Sequence, residues 1–156
     1  MIIRKLLISN RGEIASRIIR SAHDMGISCV AIYTEADTNT PYVREADQAF
    51  KLSDTYLNAK EILEIAKKND VDAIHPGYGF LSENANFANS VKKAGIKWVG
   101  PSANAIKKMG DKLTAKTLAE KVGVPTLPMG TSSKDAKNIG YPILVKAAAG
   151  GGGKGM

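Results

Sequence analysis

Two hydrophobic periods alternate along the first hundred residues. Short apolar runs recur as "IIRKLLIS" (2–9), "ISCVAIYT" (27–34), "QAFKLS" (48–53), "VDAIHPG" (71–77) and "IKWVGP" (96–101). These short apolar runs predict strands. Helical patterns separate them. In "GEIASRIIRSAHDMG" (12–26), Ile14, Ala15, Ile18, Ile19 and Ala22 fall on one face, and Gly26 is a natural stop. "NAKEILEIAKKN" (58–69) turns Ile62, Leu63 and Ala66 inward, and "ENANFANSVKKAG" (83–95) supplies the next helix. This alternation predicts an α/β fold, a Rossmann-like parallel sheet with helices on its faces.

The pattern changes near residue 102. "SANAIKKMG" (102–110) and "DKLTAKTLAEKVG" (111–123) read as successive helices with no strand between them. "VPTLPMG", a short helical stretch "SKDAKNIG" (133–140) and a predicted strand "YPILVKAAA" (141–149) follow, and the strand leads into a run of four glycines. A boundary therefore falls within 102–124. It divides the chain into a first domain, 1–110, and the opening elements of a second, 111–156.

Composition narrows the classes. The chain has 156 residues, 44% hydrophobic and 24% charged, as in ordinary globular proteins. Its formal charge of +7 comes from lysines scattered along helices rather than from a basic run, and aromatics make up only 6%. Neither feature supports nucleic-acid recognition. A single cysteine, Cys29, excludes a disulfide framework and suits a reducing, cytoplasmic setting. It is expected to be a buried small side chain. The apolar start breaks into Asn-Arg-Gly-Glu too early for a signal peptide, and no stretch is long enough to span a membrane.

In open parallel sheets, ligands sit beyond the carboxyl ends of the strands. Three segments are delivered there: "SNRGEIA", "YTEADTNTPYVREAD" and "HPGYGFLSENANF", which places Asn10, Glu35 and His75 on one edge. Asn10 is expected to cap the first helix, with Glu13 completing a capping box. Gly12 alone does not make the G-x-G-x-x-G of a dinucleotide site. In "HPGYGFLSEN", Pro76, Gly77 and Gly79 interleave with Tyr78 and Phe80, more than a turn requires; His75 also suits a satisfied core position. The terminal glycines do not make a P-loop. Residue 148 is Ala where Gly is required, and Gly155 stands where a Ser or Thr would hold magnesium. Consecutive backbone N–H groups beside Lys154, with Lys146 nearby, still suit a polyphosphate.

"SNRGEIASRIIRSAHDMGI", "HPGYGFLSENANFA", "GPSANAIKKMGDK" and "GYPILVKAAAGGGGKGM" occur in that order in biotin carboxylases, and the whole chain resembles the first third of that family. The resemblance implies a pre-ATP-grasp domain followed by the start of an ATP-grasp lid subdomain that stops inside the glycine-rich lid loop. It implies an ATP-dependent ligase that forms carboxyphosphate from ATP and bicarbonate, with Mg2+ or Mn2+, and carboxylates biotin on a carrier protein. By position, Lys112 and Lys146 resemble the two family lysines that contact ATP. Gly150, Gly151, Gly152, Gly153, Lys154 and Gly155 resemble the loop that closes over its phosphates. Tyr78 and Gly79 resemble the edge of the biotin pocket. No catalytic residue and no metal ligand of the family falls in this segment.

The implied partners are a biotin carboxyl carrier protein and a carboxyltransferase of an acetyl-CoA, propionyl-CoA, pyruvate or urea carboxylase. The parent enzyme is expected to be a homodimer. The 156-residue chain alone is expected to be inactive, with residues 149–156 mobile. "KLSDTYLN" and "MGTSSKDAKNIG" are more compact than the family pattern. Two alternatives remain: another ATP-grasp carboxylate–amine ligase, and a non-catalytic assembly module.

Overall fold

The computed structural model describes residues 2–146. They belong to two compact units, Met1–Ile106 and Lys107–Met156. The first unit is built on a five-stranded sheet of β1 (Lys5–Ile8), β2 (Ser28–Tyr33), β3 (Gln48–Lys51), β4 (Ala73–His75) and β5 (Lys97–Trp98). The order is β3-β2-β1-β4-β5 and every pairing is parallel. The chain winds outward from β1 to β3, then returns across β1 to β4. That reversal makes the β1/β4 boundary the topological switch point, the place on the carboxyl edge where open α/β sheets bind their ligands.

Alternation along each strand fills two cores. Leu7, Val30, Ile32, Ile74 and Trp98 point to one face. There they meet Ile62 and Ala66 of α3 (Ala59–Lys68), Phe87, Ala88 and Val91 of α4 (Ala85–Lys93), and the start of α5 (Ala103–Gly110). Leu6, Ile8, Cys29, Ala31 and Ala73 point to the other. That face is covered by α1 (Gly12–Asp24), through Ile14, Ala15, Ile18, Ile19 and Ala22, and by Tyr42 of α2 (Pro41–Glu45). Burial on both faces explains why the strands read as apolar runs. Leu63 packs against the core only partly buried.

Among the helices of eight or more residues, the ends follow local chemistry with one exception. Asn58 and Asn84 cap α3 and α4 by accepting Glu61 N–H and Phe87 N–H. Gly26 takes φ +70 after α1, where glycine is uniquely free. The exception is α1, whose N-cap is Arg11 without a side-chain cap bond. Asn10 does not cap this helix, because its amide is bonded elsewhere, as described below.

The second unit contains α6 (Lys112–Lys121) and α7 (Ala136–Ile139). Asp111 caps α6 by accepting Thr114 N–H at 2.7 Å. Lys116 donates to Leu127 O at 2.7 Å, and Thr126 donates to Glu120 at 2.7 Å, which ties the connection after α6 back onto it. Ala136 is the only buried residue described after Ile106. The strand expected over 141–149 is absent from its described part: Tyr141–Lys146 are exposed and make no ladder. Ile143, Leu144 and Val145 have strand composition, but a strand exists only against a partner.

Two substitutions should separate a packed site from an unpacked one. Leu7→Ala, on the central strand and fully buried, is expected to cost about 2–5 kcal/mol in urea unfolding. Leu127→Ala, 85% exposed, is expected to cost no more than about 0.5 kcal/mol. Equal losses would contradict this description of the core.

Candidate functional site

β1, β2 and β4 end at Ile8, Tyr33 and His75, so the segments after them emerge at the same carboxyl edge. At the switch point, the fully buried side chain of Asn10 joins two of them. Its amide donates to Pro76 O at 2.7 Å and to Tyr78 O at 2.8 Å, while its carbonyl accepts Arg11 N–H at 2.9 Å. Gly77 lies against this amide. A Cβ there would stand 2.6 Å from Asn10 Nδ2, and φ is +63, so both space and backbone require glycine.

The loop after β4 is tightly wound. Gly77, Gly79 and Phe80 all have positive φ, and for Phe80 (φ +44) that conformation is strained. His75 is half-buried and accepts Gly77 N–H at Nδ1, 3.0 Å away. Burial holds its pKa below the usual histidine value, so the neutral ring that accepts this bond is the favoured form. Tyr78 is exposed, and its hydroxyl donates to Glu13 of α1. That bond draws on the residue expected to complete a capping box and raises the Tyr78 pKa. Tyr78 and Gly79 are therefore presented outward on a loop fastened from beneath by Asn10.

A second network braces the same edge. Arg11 forms a two-pronged pair with Asp37, Nε to Oδ2 at 2.6 Å and Nη2 to Oδ1 at 2.5 Å. Asp37 is buried and also accepts the Tyr56 hydroxyl at 2.5 Å. Tyr56 in turn meets the Tyr42 hydroxyl at 2.8 Å and accepts Thr34 N–H at 3.1 Å. The Arg11 guanidinium holds the Asp37 carboxyl below its ordinary range, with help from the Tyr56 hydroxyl. Burial pushes the Tyr42 and Tyr56 hydroxyls up. The Tyr56 ring packs on Phe80, centroids 5.3 Å apart, and so carries the network to the loop after β4. Glu35, in the short 3-10 turn after β2, pairs with Lys51 at the end of β3.

The remaining sequence candidates belong to the second unit. Lys112 is the first residue of α6, directly after the capping Asp111. Lys146 is exposed in the irregular segment after α7. Gly150, Gly151, Gly152, Gly153, Lys154 and Gly155, like the mobility expected of 149–156, lie outside the described residues. The structure thus brings Asn10, Glu13, His75, Tyr78 and Gly79 together at one edge of the first unit, and holds Lys112 and Lys146 in the second.

Magnesium would require several oxygen ligands. Among the described residues the one group with metal-ligand spacing is His23, Cys29 and Asp47, a nitrogen–sulfur–oxygen set that does not suit it.

Residues 2–106 match the family model for the biotin carboxylase N-terminal domain. The chain belongs to the biotin carboxylase family. Residues 111–156 match a second model, the ATP-binding domain of the carbamoyl-phosphate synthase L chain. Among curated relatives, biotin carboxylase 1 of Bacillus subtilis is 48% identical over 99% of this chain and 37% of its own length. The biotin carboxylase of Halalkalibacterium halodurans is 47% identical over 98% of this chain and 37% of its own. The chain spans about a third of the length of these relatives. The biotin carboxylase domain of 2-oxoglutarate carboxylase from Hydrogenobacter thermophilus was solved as a dimer with MgADP, ADP and bicarbonate. It superposes with a TM-score of 0.93 and is 44% identical over 98% of this chain and 36% of that one. The alignment with the Bacillus subtilis enzyme runs over 167 positions, more than the 156 residues of the chain, so this member is compact relative to that relative.

Sequence reasoning did not find Arg11, Asp37, Tyr42 and Tyr56. One signal for part of this was present: Thr40-Pro41 opens α2 with proline at its first position, and α2 carries Tyr42 inward.

The Asp37 carboxyl is held below its ordinary 3.8, so folding favours the ionised form. Its contribution is full above that value and is lost as pH falls through the lower native one. Asp37→Asn is expected to cost about 2–3 kcal/mol at neutral pH. The gap from the parent should narrow below about pH 4 in denaturant titrations. A gap independent of pH would remove the carboxylate from this role.

Proposed function

We propose that the chain is the N-terminal portion of a biotin carboxylase, an ATP-dependent ligase that uses bicarbonate to carboxylate biotin on a carrier protein. Residues 1–110 would be its pre-ATP-grasp domain and 111–156 the start of its ATP-grasp domain. The observation that carries this reading is the carboxyl edge at the switch point. There Asn10 and a positive-φ loop present Tyr78 and Gly79 in a chain whose two segments match a biotin carboxylase domain and an ATP-binding domain in order. The solved relative with MgADP and bicarbonate supports ATP, a divalent metal and bicarbonate as the ligands of the complete enzyme.

In this reading Tyr78 and Gly79 form the near wall of the biotin pocket. Their positions are held by Asn10 beneath and Glu13 beside them, which limits how far the wall can relax when biotin arrives. Lys112 and Lys146 serve ATP as donors and point charges, and Gly150–Gly153, Lys154 and Gly155 offer backbone N–H groups to its phosphates. In this reading the metal ligands belong to other parts of the enzyme. A carrier protein, a carboxyltransferase, a homodimeric parent and cytoplasmic residence complete the proposal. Among the described residues no helix is long and apolar enough to cross a membrane.

Bicarbonate-dependent ATP cleavage stimulated by free biotin, measured on the full-length enzyme, tests the assignment. In that enzyme Lys146→Ala should weaken ATP binding about tenfold or more, because a charge-assisted hydrogen bond is worth about 1.5–3 kcal/mol. Lys112→Ala should act in the same direction. Unchanged ATP affinity in both variants would remove these lysines from the site.

The 156-residue chain by itself should release no phosphate above blank from ATP, magnesium, bicarbonate and biotin. Biotin-dependent turnover by this chain alone would overturn the reading of it as part of a larger site.

A further inference from the structure

A second cluster lies at the opposite, amino edge of the sheet. His23 is in the last turn of α1, Cys29 is the second residue of β2, and Asp47 immediately precedes β3. We propose that His23, Cys29 and Asp47 form a binding site for a borderline-soft divalent transition-metal ion, Zn2+ above all, with a water completing a tetrahedral shell.

The geometry supports this in three ways. Each residue offers a ligand atom, and these atoms lie within 4.8 Å of one another, so small rotations of the two exposed side chains bring all three onto one ion. The donor set is imidazole nitrogen, carboxylate oxygen and a cysteine sulfur that is a buried thiol until metal displaces its proton, which suits zinc and not magnesium or calcium. The arrangement is also prepared by the backbone. Cys29 N–H donates to Asp47 Oδ2 at 2.7 Å, so the strand that carries the thiol also orients the carboxylate above it. His23 Nε2 stands 3.0 Å from the same oxygen. Cys29 is fully buried while His23 and Asp47 are exposed, giving a sulfur floor with two ligands open to incoming metal. The site also lies at the carboxyl end of the 13-residue helix α1, where the helix dipole favours a cation.

Binding replaces the Cys29 S–H bond with a metal–sulfur bond and releases the proton to water. The metal takes the place of the His23–Asp47 contact, and no redox change is involved. The competing account is a plain surface pair. With side chains 39% and 47% exposed, such a pair contributes little to stability.

Cobalt(II), a spectroscopic stand-in for zinc, separates the two accounts. The full chain, freed of any affinity tag, is titrated with Co2+ in a reducing buffer. The expected result is saturation at equimolar cobalt with a thiolate-to-cobalt charge-transfer band in the near ultraviolet. Because the chain has a single cysteine, that band reports Cys29 alone. Zinc should abolish the band by displacement, and excess magnesium should not. His23→Ala and Asp47→Asn, both at exposed positions, should each weaken cobalt binding about tenfold or more. Cys29→Ser should eliminate the band, with circular dichroism as a check on folding. Absence of the band in the parent, or a band unaffected in His23→Ala, would overturn the proposal and leave a surface pair.

Discussion

The carboxyl edge depends on a single buried amide. Asn10 follows the central strand β1 and reaches across the switch point to the backbone carbonyls of Pro76 and Tyr78. A buried amide without partners costs on the order of 1–3 kcal/mol, so these contacts hold the crossing shut from beneath. The side chain that would ordinarily cap α1 is spent on this crossing, and α1 begins without a side-chain cap. Gly77 is required because the amide occupies the space where a Cβ would go. Tyr78 and Gly79 are presented to solvent because the loop beneath them is fixed.

A second constraint works from the side. Asp37 is a buried carboxylate, tolerable because Arg11 and Tyr56 together satisfy it. The Tyr56 ring then packs at a tilt against Phe80, whose left-handed backbone needs surrounding support. The loops after β1, β2 and β4 are thereby joined into one brace. Sheet topology makes this arrangement possible: parallel pairing brings all three exits to the same edge, and the order β3-β2-β1-β4-β5 sets β2 and β4 on either side of β1.

Much of the first unit was legible in the sequence. Ile14, Ala15, Ile18, Ile19 and Ala22 repeat at helical spacing and do line α1, and the five apolar runs do contain the five strands. What was not legible depends on partners far along the chain. Asn10 with Glu13 three residues later has the spelling of a capping box. Nothing local reveals that each instead bonds within 76–78. Asp37 reads as a polar loop residue because its partners, Arg11 and Tyr56, lie 26 and 19 residues away. Ile143, Leu144 and Val145 spell a strand, yet strand formation requires a ladder that the described residues do not supply. The ATP-contact candidates in the second unit rest on motif position. The proposed biotin-pocket edge at Tyr78 and Gly79 rests on motif position together with the geometry of a fixed loop.

The span of the Asn10 contacts also bears on how the site comes into being. Its two partners are 66 and 68 residues further along the chain. As a ribosome extends the polypeptide, α1 and the β1–β2 pairing involve only residues near in sequence, whereas the crossing must wait until Tyr78 has emerged. Closing so long a segment costs chain entropy before any contact repays it. The edge is thus a late product of synthesis, and a nascent chain ending just before β4 carries all of α1 and β2 but no part of the loop that presents Tyr78. Ligands directed to that loop can therefore engage only chains whose central sheet has already been sewn together.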